Sequence, residues 1–134
     1  MSACYLDGSA IVKLAADEAE SAALRDWLRE RTFRLTSRVA AVEVPRALRR
    51  KGAASIQRGS EALDAVIRSL SIVELDAMIA DEAANLGPDR LRSLDAVHLA
   101  SALAIGEELE AFVTYDLRQA DAASQSGLTV VAPA

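Results

Sequence analysis

Residues 92–102, RSLDAVHLASA, place one acidic side chain inside an apolar, alanine-rich run. The spacing of the apolar residues predicts a helix over residues 94–105, with Ser93 as its N-cap. Asp95 then lies in the first turn, where unpaired backbone N–H groups and the positive end of the helix dipole favour a carboxylate. That structural role is sufficient for Asp95 alone. The positions of three further acids favour a second role.

Two aspartates follow predicted strands, and one glutamate lies on a predicted helix. Asp7 comes directly after the apolar segment ACYL, and Asp116 comes directly after AFVTY. Glu43 lies in VAAVEVPRAL, beside the apolar stripe of a helix. Each acid also has a structural alternative. Asp116 has capping-box spacing to Gln119, and Glu43 is spaced for an intrahelical ion pair with Arg46.

Short apolar segments alternate with amphipathic helices along the chain. We predict strands at residues 2–6, 33–36, 71–75, 111–115 and 128–132. Gly52 to Gly59 is expected to be a break between helices. Strand connections of this length, each with a helix, imply a mostly parallel sheet. The sequence therefore predicts a single α/β domain over residues 1–134, with three layers and a mostly parallel central sheet of about five short strands flanked by helices.

Right-handed crossovers bring the carboxyl ends of parallel strands to one edge of the sheet, where ligands bind. The four acids Asp7, Glu43, Asp95 and Asp116 are therefore expected to meet at that edge. Ionised carboxylates about 5 Å apart repel by roughly 3 kcal/mol per pair at an effective dielectric constant of about 20. A divalent cation removes this repulsion. An all-oxygen, anionic set of ligands favours Mg²⁺, or Mn²⁺, over zinc.

Composition and charge narrow the choice of partner and compartment. The net charge of −5 argues against a generally basic nucleic-acid surface. Between Arg25 and Arg58, however, ten Arg or Lys residues stand against three acids, and this local charge of +7 indicates a polar partner. Solvation of helix faces explains the same arginines equally well. With a single cysteine, Cys4, and no signal peptide or membrane-spanning run, a cytoplasmic protein without membrane contact is expected.

His98 is the only histidine of the chain and lies three residues after Asp95. An imidazole at that position is able to serve as a general base or a metal ligand. Within the apolar sequence AVHLASAL, a packed and hydrogen-bonded core histidine is the more common case. We therefore predict a structural role for His98 and leave it out of the site.

Four segments of the chain together resemble the PIN-domain ribonucleases, and among them the VapC toxins of bacterial type II toxin–antitoxin pairs. They are YLDGSAIVKL, VEVPRALRR, RSLDAVHLASAL and FVTYDLRQADAA, in the order and spacing of the family. The resemblance implies a PIN-like fold. It also places the family's acidic positions at Asp7, Glu43, Asp95 and Asp116, with supporting hydroxyls at Ser9 and Thr114.

Position 8 departs from the family pattern, because it is glycine where many relatives carry threonine, alanine or serine. We expect Gly8 to form a tight turn and to loosen the loop around Asp7. Ser9 is able to point its hydroxyl into the cleft or to cap the following helix, and capping is the commoner role.

The resemblance implies a Mg²⁺-dependent endoribonuclease, the toxin of such a pair, that leaves a 5′-phosphate and a 3′-hydroxyl. Asp7, Asp95 and Asp116 would hold the metal, and Glu43 would orient or deprotonate the attacking water. A VapB-type antitoxin and a homodimer contact are also implied, both on the helices between Leu24 and Leu70. The candidate residues that position the RNA backbone are Arg46, Arg49, Arg50 and Lys51.

Two other classes of function fit part of the pattern. Mg²⁺-dependent phosphatases and receiver domains also carry an aspartate after the first strand, with a second acid close to it or a lysine late in the chain. Here Ser9 stands where that acid is expected, and no lysine follows Lys51. A degenerate PIN-like module kept only for binding a partner is the other alternative. The presence of all four acids argues against it.

Overall fold

A computed structural model describes residues 2–134, and the side chains of all of these except 53–59. Within this range five strands alternate with seven α-helices and one short 3₁₀ helix at Gly106–Glu108. The strands are β1 (Ala3–Leu6), β2 (Arg34–Ser37), β3 (Ser71–Val73), β4 (Leu109–Val113) and β5 (Val130–Val131). The α-helices are α1 (Gly8–Ala15), α2 (Ser21–Leu28), α3 (Ala40–Arg49), α4 (Ala53–Arg68), α5 (Ala77–Asn85), α6 (Ser93–Ile105) and α7 (Leu117–Gln125).

The five strands form one sheet in the order β3-β2-β1-β4-β5, and every neighbouring pair is parallel. In the centre of the sheet, Tyr5 of β1 stands opposite Leu35 of β2 and Phe112 of β4. The predicted α/β class and the mostly parallel sheet of five short strands are confirmed. Because β1 and β4 are neighbours, their carboxyl ends lie side by side.

The central strand β1 shows why the sheet is covered on both faces. All four of its residues are buried, and successive side chains of a strand point to opposite faces. Cys4 and Leu6 join a core cluster with residues of α1 to α4, whereas Ala3 and Tyr5 join a second cluster with α6 and α7. One cluster lies on each face of the sheet. The sheet and the helices packed on its two faces form the three layers.

The core is mostly aliphatic, with one aromatic pair at its centre. The ring of Tyr5 stacks on that of Phe112, with centroids 5.4 Å apart and planes at 5°. Both residues are completely buried. Two of the five aromatic residues of the chain therefore meet where β1 and β4 pair.

Several predicted boundaries are wrong. Ser37 is a favoured N-cap residue ahead of the predicted helix that carries Glu43, but it ends β2, and the N-cap of α3 is Val39. Helix α4 begins at Ala53 and includes Gly59, so the expected break is limited to Gly52, which has a φ of 106°. A single glycine inside a helix costs only about 1 kcal/mol, which a helix of this length tolerates. Among the residues described, no helix is long and apolar enough to cross a membrane.

Candidate active site

Asp7 lies where β1 passes into α1, and its carboxylate is tied to the protein through both oxygens. It is the N-cap of α1, so Oδ1 accepts a hydrogen bond from the backbone N–H of Ala10 at 3.1 Å. Oδ1 also accepts from the hydroxyl of Ser9 at 2.6 Å, and Oδ2 accepts from that of Thr114 at 2.5 Å. Asp7 therefore has the structural role of a cap while facing the neighbouring strand end.

Burial dominates the electrostatics of Asp7, which is only 3% exposed. Loss of hydration raises the pKa of its carboxyl, and the nearby His98 together with the bonds from Ser9, Thr114 and Ala10 opposes that rise. An ionised carboxylate in such a position requires donors or a cation. The hydroxyls of Ser9 and Thr114, which donate to Asp7, are placed to meet that need.

Asp116 follows β4 and caps α7. Its Oδ1 accepts from the N–H groups of Arg118 at 2.9 Å and Gln119 at 3.2 Å. The side chain of Gln119 does not complete a capping box, because its Nε2 donates to the carbonyl of Asp95 at 3.0 Å. Gln119 is fully buried and joins the cap of α7 to the first turn of α6. Sequence analysis did not identify this link, which spans 24 positions.

Asp95 lies in the first turn of α6, as predicted, but the predicted N-cap is wrong. The helix begins at Ser93 itself, and its N-cap is Arg92, which makes no side-chain capping bond. The pKa of Asp95 rises to about 6, first because of burial and then because of repulsion from Asp116, Asp7 and Glu43. Asp95 is therefore close enough to the other three acids for their charges to oppose its ionisation.

The carboxylate of Glu43 bonds to His98. His98 Nε2 donates to Glu43 Oε1 at 2.7 Å, while Nδ1 shares a hydrogen bond of 2.7 Å with the hydroxyl of Tyr5. No ion pair between Glu43 and Arg46 is present among the residues described, so the intrahelical alternative is not realised. His98 is fully buried, which confirms a packed and hydrogen-bonded histidine. Its contact with a site acid was missed, because 55 positions separate the two residues.

Gly8 differs from its expected role. It is the buried first residue of α1, so the chain passes from strand to helix without a separate tight turn. The space beside its α-carbon is occupied by the carboxylate of Glu43. The packing around this glycine is therefore close.

A cleft of about 390 Å³ lies at the carboxyl edge of the sheet and is lined by all four acids. Its other lining residues are Ser9, Val42, Arg46, Arg50, Arg92, Ser93 and Leu94. Arg49 lines an adjoining depression of about 250 Å³ with Arg46 and Arg50. Lys51 pairs with Glu18 at 2.7 Å and lies outside the lining of both, so the predicted basic group is brought together only in part.

The arrangement of the acids bears on whether a metal fits. Across the described part of the chain, no group of three or more His, Cys, Asp or Glu side chains is gathered closely enough to hold a metal ion. Oxygens of Asp7, Glu43 and Asp116 already accept bonds from protein donors. Even so, the donor set consists of hard, anionic oxygens, and the charges of three neighbouring carboxylates add to the burial that raises the pKa of Asp95. The donor atoms of these residues are therefore of the chemical type that binds a small divalent cation.

An acidic cleft at the carboxyl edge of a five-stranded parallel sheet defines the class of protein, and residues 4–125 match the family model of the PIN domain. The chain is 47% identical over 133 residues to ribonuclease VapC46 of Mycobacterium tuberculosis (strain ATCC 25618 / H37Rv), with 99% of each chain covered. It is 45% identical over 133 residues to ribonuclease VapC35 of the same strain, with 96% of each chain covered. The chain belongs to the VapC type of PIN-domain ribonucleases.

Solved structures share the fold at lower identity. One is VapC20 of Mycobacterium tuberculosis, described as a sarcin-ricin loop cleaving toxin, with a TM-score of 0.72 and 18% identity over 97% of this chain and 99% of that one. Another is VapBC2 from Rickettsia felis, solved bound to a DNA fragment from its promoter, with a TM-score of 0.65 and 13% identity over 98% and 99% of the two chains. At these identities the likeness supports the fold.

Proposed function

We propose that this protein is a metal-dependent endoribonuclease and the toxin of a VapBC-type toxin–antitoxin pair. The observation that carries the proposal is the convergence of Asp7, Glu43, Asp95 and Asp116 on one cleft of a VapC-type PIN domain. Membership of that family supplies the substrate class, because the similar curated proteins are named ribonucleases.

Asp7, Asp95 and Asp116 are the proposed metal ligands, for Mg²⁺ or Mn²⁺. When bound there, the ion supplies charge neutralisation at the phosphate and a lowered pKa for water. Ser9 and Thr114 hold Asp7 by hydrogen bonds that favour its ionised form. The N–H groups at the start of α7 hold one oxygen of Asp116, so that side chain keeps a fixed direction.

Glu43 is the proposed general base. One of its oxygens, Oε1, is bonded to His98, and Oε2 accepts no hydrogen bond from the described residues. Oε2 takes a proton from the attacking water, whose oxygen forms a bond to phosphorus. The P–O3′ bond breaks, its electron pair stays on O3′, and O3′ takes a proton from solvent. The products are a 5′-phosphate and a 3′-hydroxyl.

Arginines on the rim are the proposed contacts to the RNA backbone. Arg46, Arg50 and Arg92 line the cleft, and no ion pair occupies them among the described residues. Arg49 is a further candidate beside them, whereas Lys51 is engaged with Glu18. Arg92 was not predicted from the sequence. Its distance along the chain from Arg46, Arg49 and Arg50 gives no indication that it lies near them in the fold.

A VapB-type antitoxin is the proposed protein partner. Two solved neighbours in fold are VapBC complexes, from Rickettsia felis and Salmonella typhimurium. Val42 and Leu94, which are 63% and 42% exposed, line the acidic cleft and offer an apolar contact to a segment that covers it. A homodimer through helices between Leu24 and Leu70, and a cytoplasmic location, are proposed with it.

The test is cleavage of total cellular RNA by purified, antitoxin-free protein with Mg²⁺ or Mn²⁺. EDTA and the variant Asp95→Asn serve as the two controls. Discrete fragments that disappear in both controls, and whose ends carry a 5′-phosphate, are the expected result. A wild-type protein that is folded but inactive with every metal would overturn the proposal and favour a module that only binds a partner.

A further inference from the structure

The carboxylate of Glu43 fills the space that a side chain at position 8 would occupy. A methyl group built on Gly8 would lie 2.9 Å from Glu43 Oε2, and closer still to Oε1 and to the carboxyl carbon. Atoms in folded proteins do not approach a β-carbon so closely. Gly8 is the first residue of α1 and is not among the glycines with a positive φ. Its backbone accepts any residue, so the absence of a side chain is what matters at this position.

The same carboxylate is held from the opposite side by His98. The ring is fully buried, with Nε2 2.7 Å from Glu43 Oε1 and Nδ1 2.7 Å from the hydroxyl of Tyr5. Burial raises the pKa of Tyr5 well above its ordinary value, so the hydroxyl stays protonated. Tyr5 is itself stacked on Phe112. The imidazole is therefore unable to turn without losing a hydrogen bond at each nitrogen.

We propose that Gly8 and His98 are positioning residues for Glu43. Gly8 provides the room in which the carboxylate lies, and His98 holds Oε1 in place. Oε2 is thereby left as the atom that accepts the proton of the attacking water. The inference rests on the proposed nuclease function and deepens it, because it names the residues that set the direction of the base. Neither residue touches the substrate in this arrangement.

The first test is Gly8→Ala. Only the end of a flexible side chain has to move, so the variant should fold, with a Tm that the lost Glu43–His98 bond lowers and the better helix preference of alanine partly restores. Displacement of Glu43 should lower kcat by about tenfold or more, with KM for the RNA changed by about twofold at most. Gly87→Ala is the matched control. A methyl group there meets nothing within 4 Å, so kcat should stay at the wild-type value.

A double-mutant cycle shows whether Gly8 acts through Glu43. Glu43→Gln removes the proposed base, and adding Gly8→Ala to it should then cause no further loss of kcat. If the two losses multiply instead, the effect of Gly8 does not pass through Glu43 and the proposal is wrong. For His98, the Gln variant keeps an amide donor and should retain more kcat than His98→Leu at similar KM.

The single histidine permits a measurement that does not depend on activity. In untagged, ¹⁵N-labelled protein every imidazole signal belongs to His98. We expect a protected Nε2–H proton at a low-field shift, as for a donor to a carboxylate. That signal should move or broaden in Gly8→Ala and in Glu43→Gln but remain in Gly87→Ala.

RNA cleavage tests the proposed nuclease function, and the imidazole signals of His98 test the positioning of Glu43. A wild type that cleaves no RNA counts against the proposed function, while the imidazole signals still test the position of Glu43. An active wild type whose Gly8→Ala variant keeps both kcat and the His98 signal would overturn the inference and leave the nuclease function intact.

Discussion

The carboxylate of Asp95 disfavours the folded state when it is ionised, although the proposed function requires the ionised form. Burial and three neighbouring carboxylates raise its pKa from 3.8 to about 6. Without a cation, ionised Asp95 is less favourable in the folded protein than in the unfolded chain at neutral pH. Asp95→Asn removes that charge at nearly constant volume. We expect a gain of about 2 kcal/mol in the free energy of unfolding at pH 7.5 in EDTA, together with loss of RNA cleavage.

The measurement is thermal unfolding of the metal-free proteins. For a domain of this size the gain corresponds to a rise in Tm of roughly 7 °C. Asp89→Asn is the matched control, because Asp89 is exposed and lies outside the lining of the cleft. An Asp95 variant whose Tm equals that of wild type would show that the acids do not repel one another in solution.

Single residues were predicted well where the pattern is local. Asp7 and Asp116 each follow a strand, as predicted, and Asp116 caps the next helix in its expected structural role, whereas the cap of α1 is Asp7 and not Ser9. The bond between Glu43 and His98 and the bond from Gln119 to Asp95 join distant segments. Nothing in the local sequence marks such pairs, since they arise only when parallel strands bring the helices together.

Apolar runs of the sequence predicted all five strands that the structure describes, whereas the ends of the helices were predicted less accurately. Ser93 and Ser37 are favoured N-cap residues, yet α6 begins at Ser93 and Ser37 stays in β2. Pairing with neighbouring strands outweighs capping preference at Ser37, since its partner across the sheet is Val73. Propensity therefore predicts that an element is present better than it predicts where the element ends.

Helix α3 presents the arginines of the proposed RNA contact on the side that carries Glu43. Arg46 and Arg50 are one helical turn apart, and both line the cleft. Replacing both with alanine should raise KM for RNA by about tenfold and leave kcat nearly unchanged, because phosphate contacts position the strand. Each lost contact should also reduce the slope of log KM against log salt by about 0.7.

Initial rates of RNA cleavage over a range of salt concentrations test this expectation. Arg68→Ala is the control, since Arg68 is an exposed arginine at the end of α4 and is absent from the cleft lining. If the control and the double variant lose affinity equally, net charge and not the surface of α3 accounts for binding.

The free energy of unfolding of this protein should fall as pH rises from the acidic range towards neutrality. An acid held in a salt bridge produces the opposite dependence. Asp95 binds protons more tightly when folded, so its favourable contribution is complete below pH of about 4, the ordinary pKa of an aspartate, and is lost as pH rises to about 6. Asp7, whose pKa is also raised, acts in the same direction. The Tm of the metal-free protein should therefore fall between pH 4 and pH 7, to the extent set by these groups.

A divalent cation should reverse that trend, because it binds the ionised carboxylates of the folded protein. A ligand at about 100 times its dissociation constant stabilises the native state by about 2.7 kcal/mol. Saturating Mn²⁺ should therefore raise Tm strongly at pH 7.5. The rise should be small at pH 5, where Asp95 with a pKa of about 6 is mostly protonated and the cation must displace its proton.

The rise in Tm with Mn²⁺, measured at the two pH values for wild type and for Asp95→Asn, links this behaviour to the cleft. The variant lacks one titrating ligand but keeps Asp7, whose pKa is also raised, so its rise should be smaller and should depend less on pH than that of wild type. Equal rises in the two proteins would place the cation elsewhere on the molecule. A wild-type rise that is independent of pH would mean that Asp95 ionises normally, and the repulsion among the four carboxylates would then be too weak to favour a metal in this cleft.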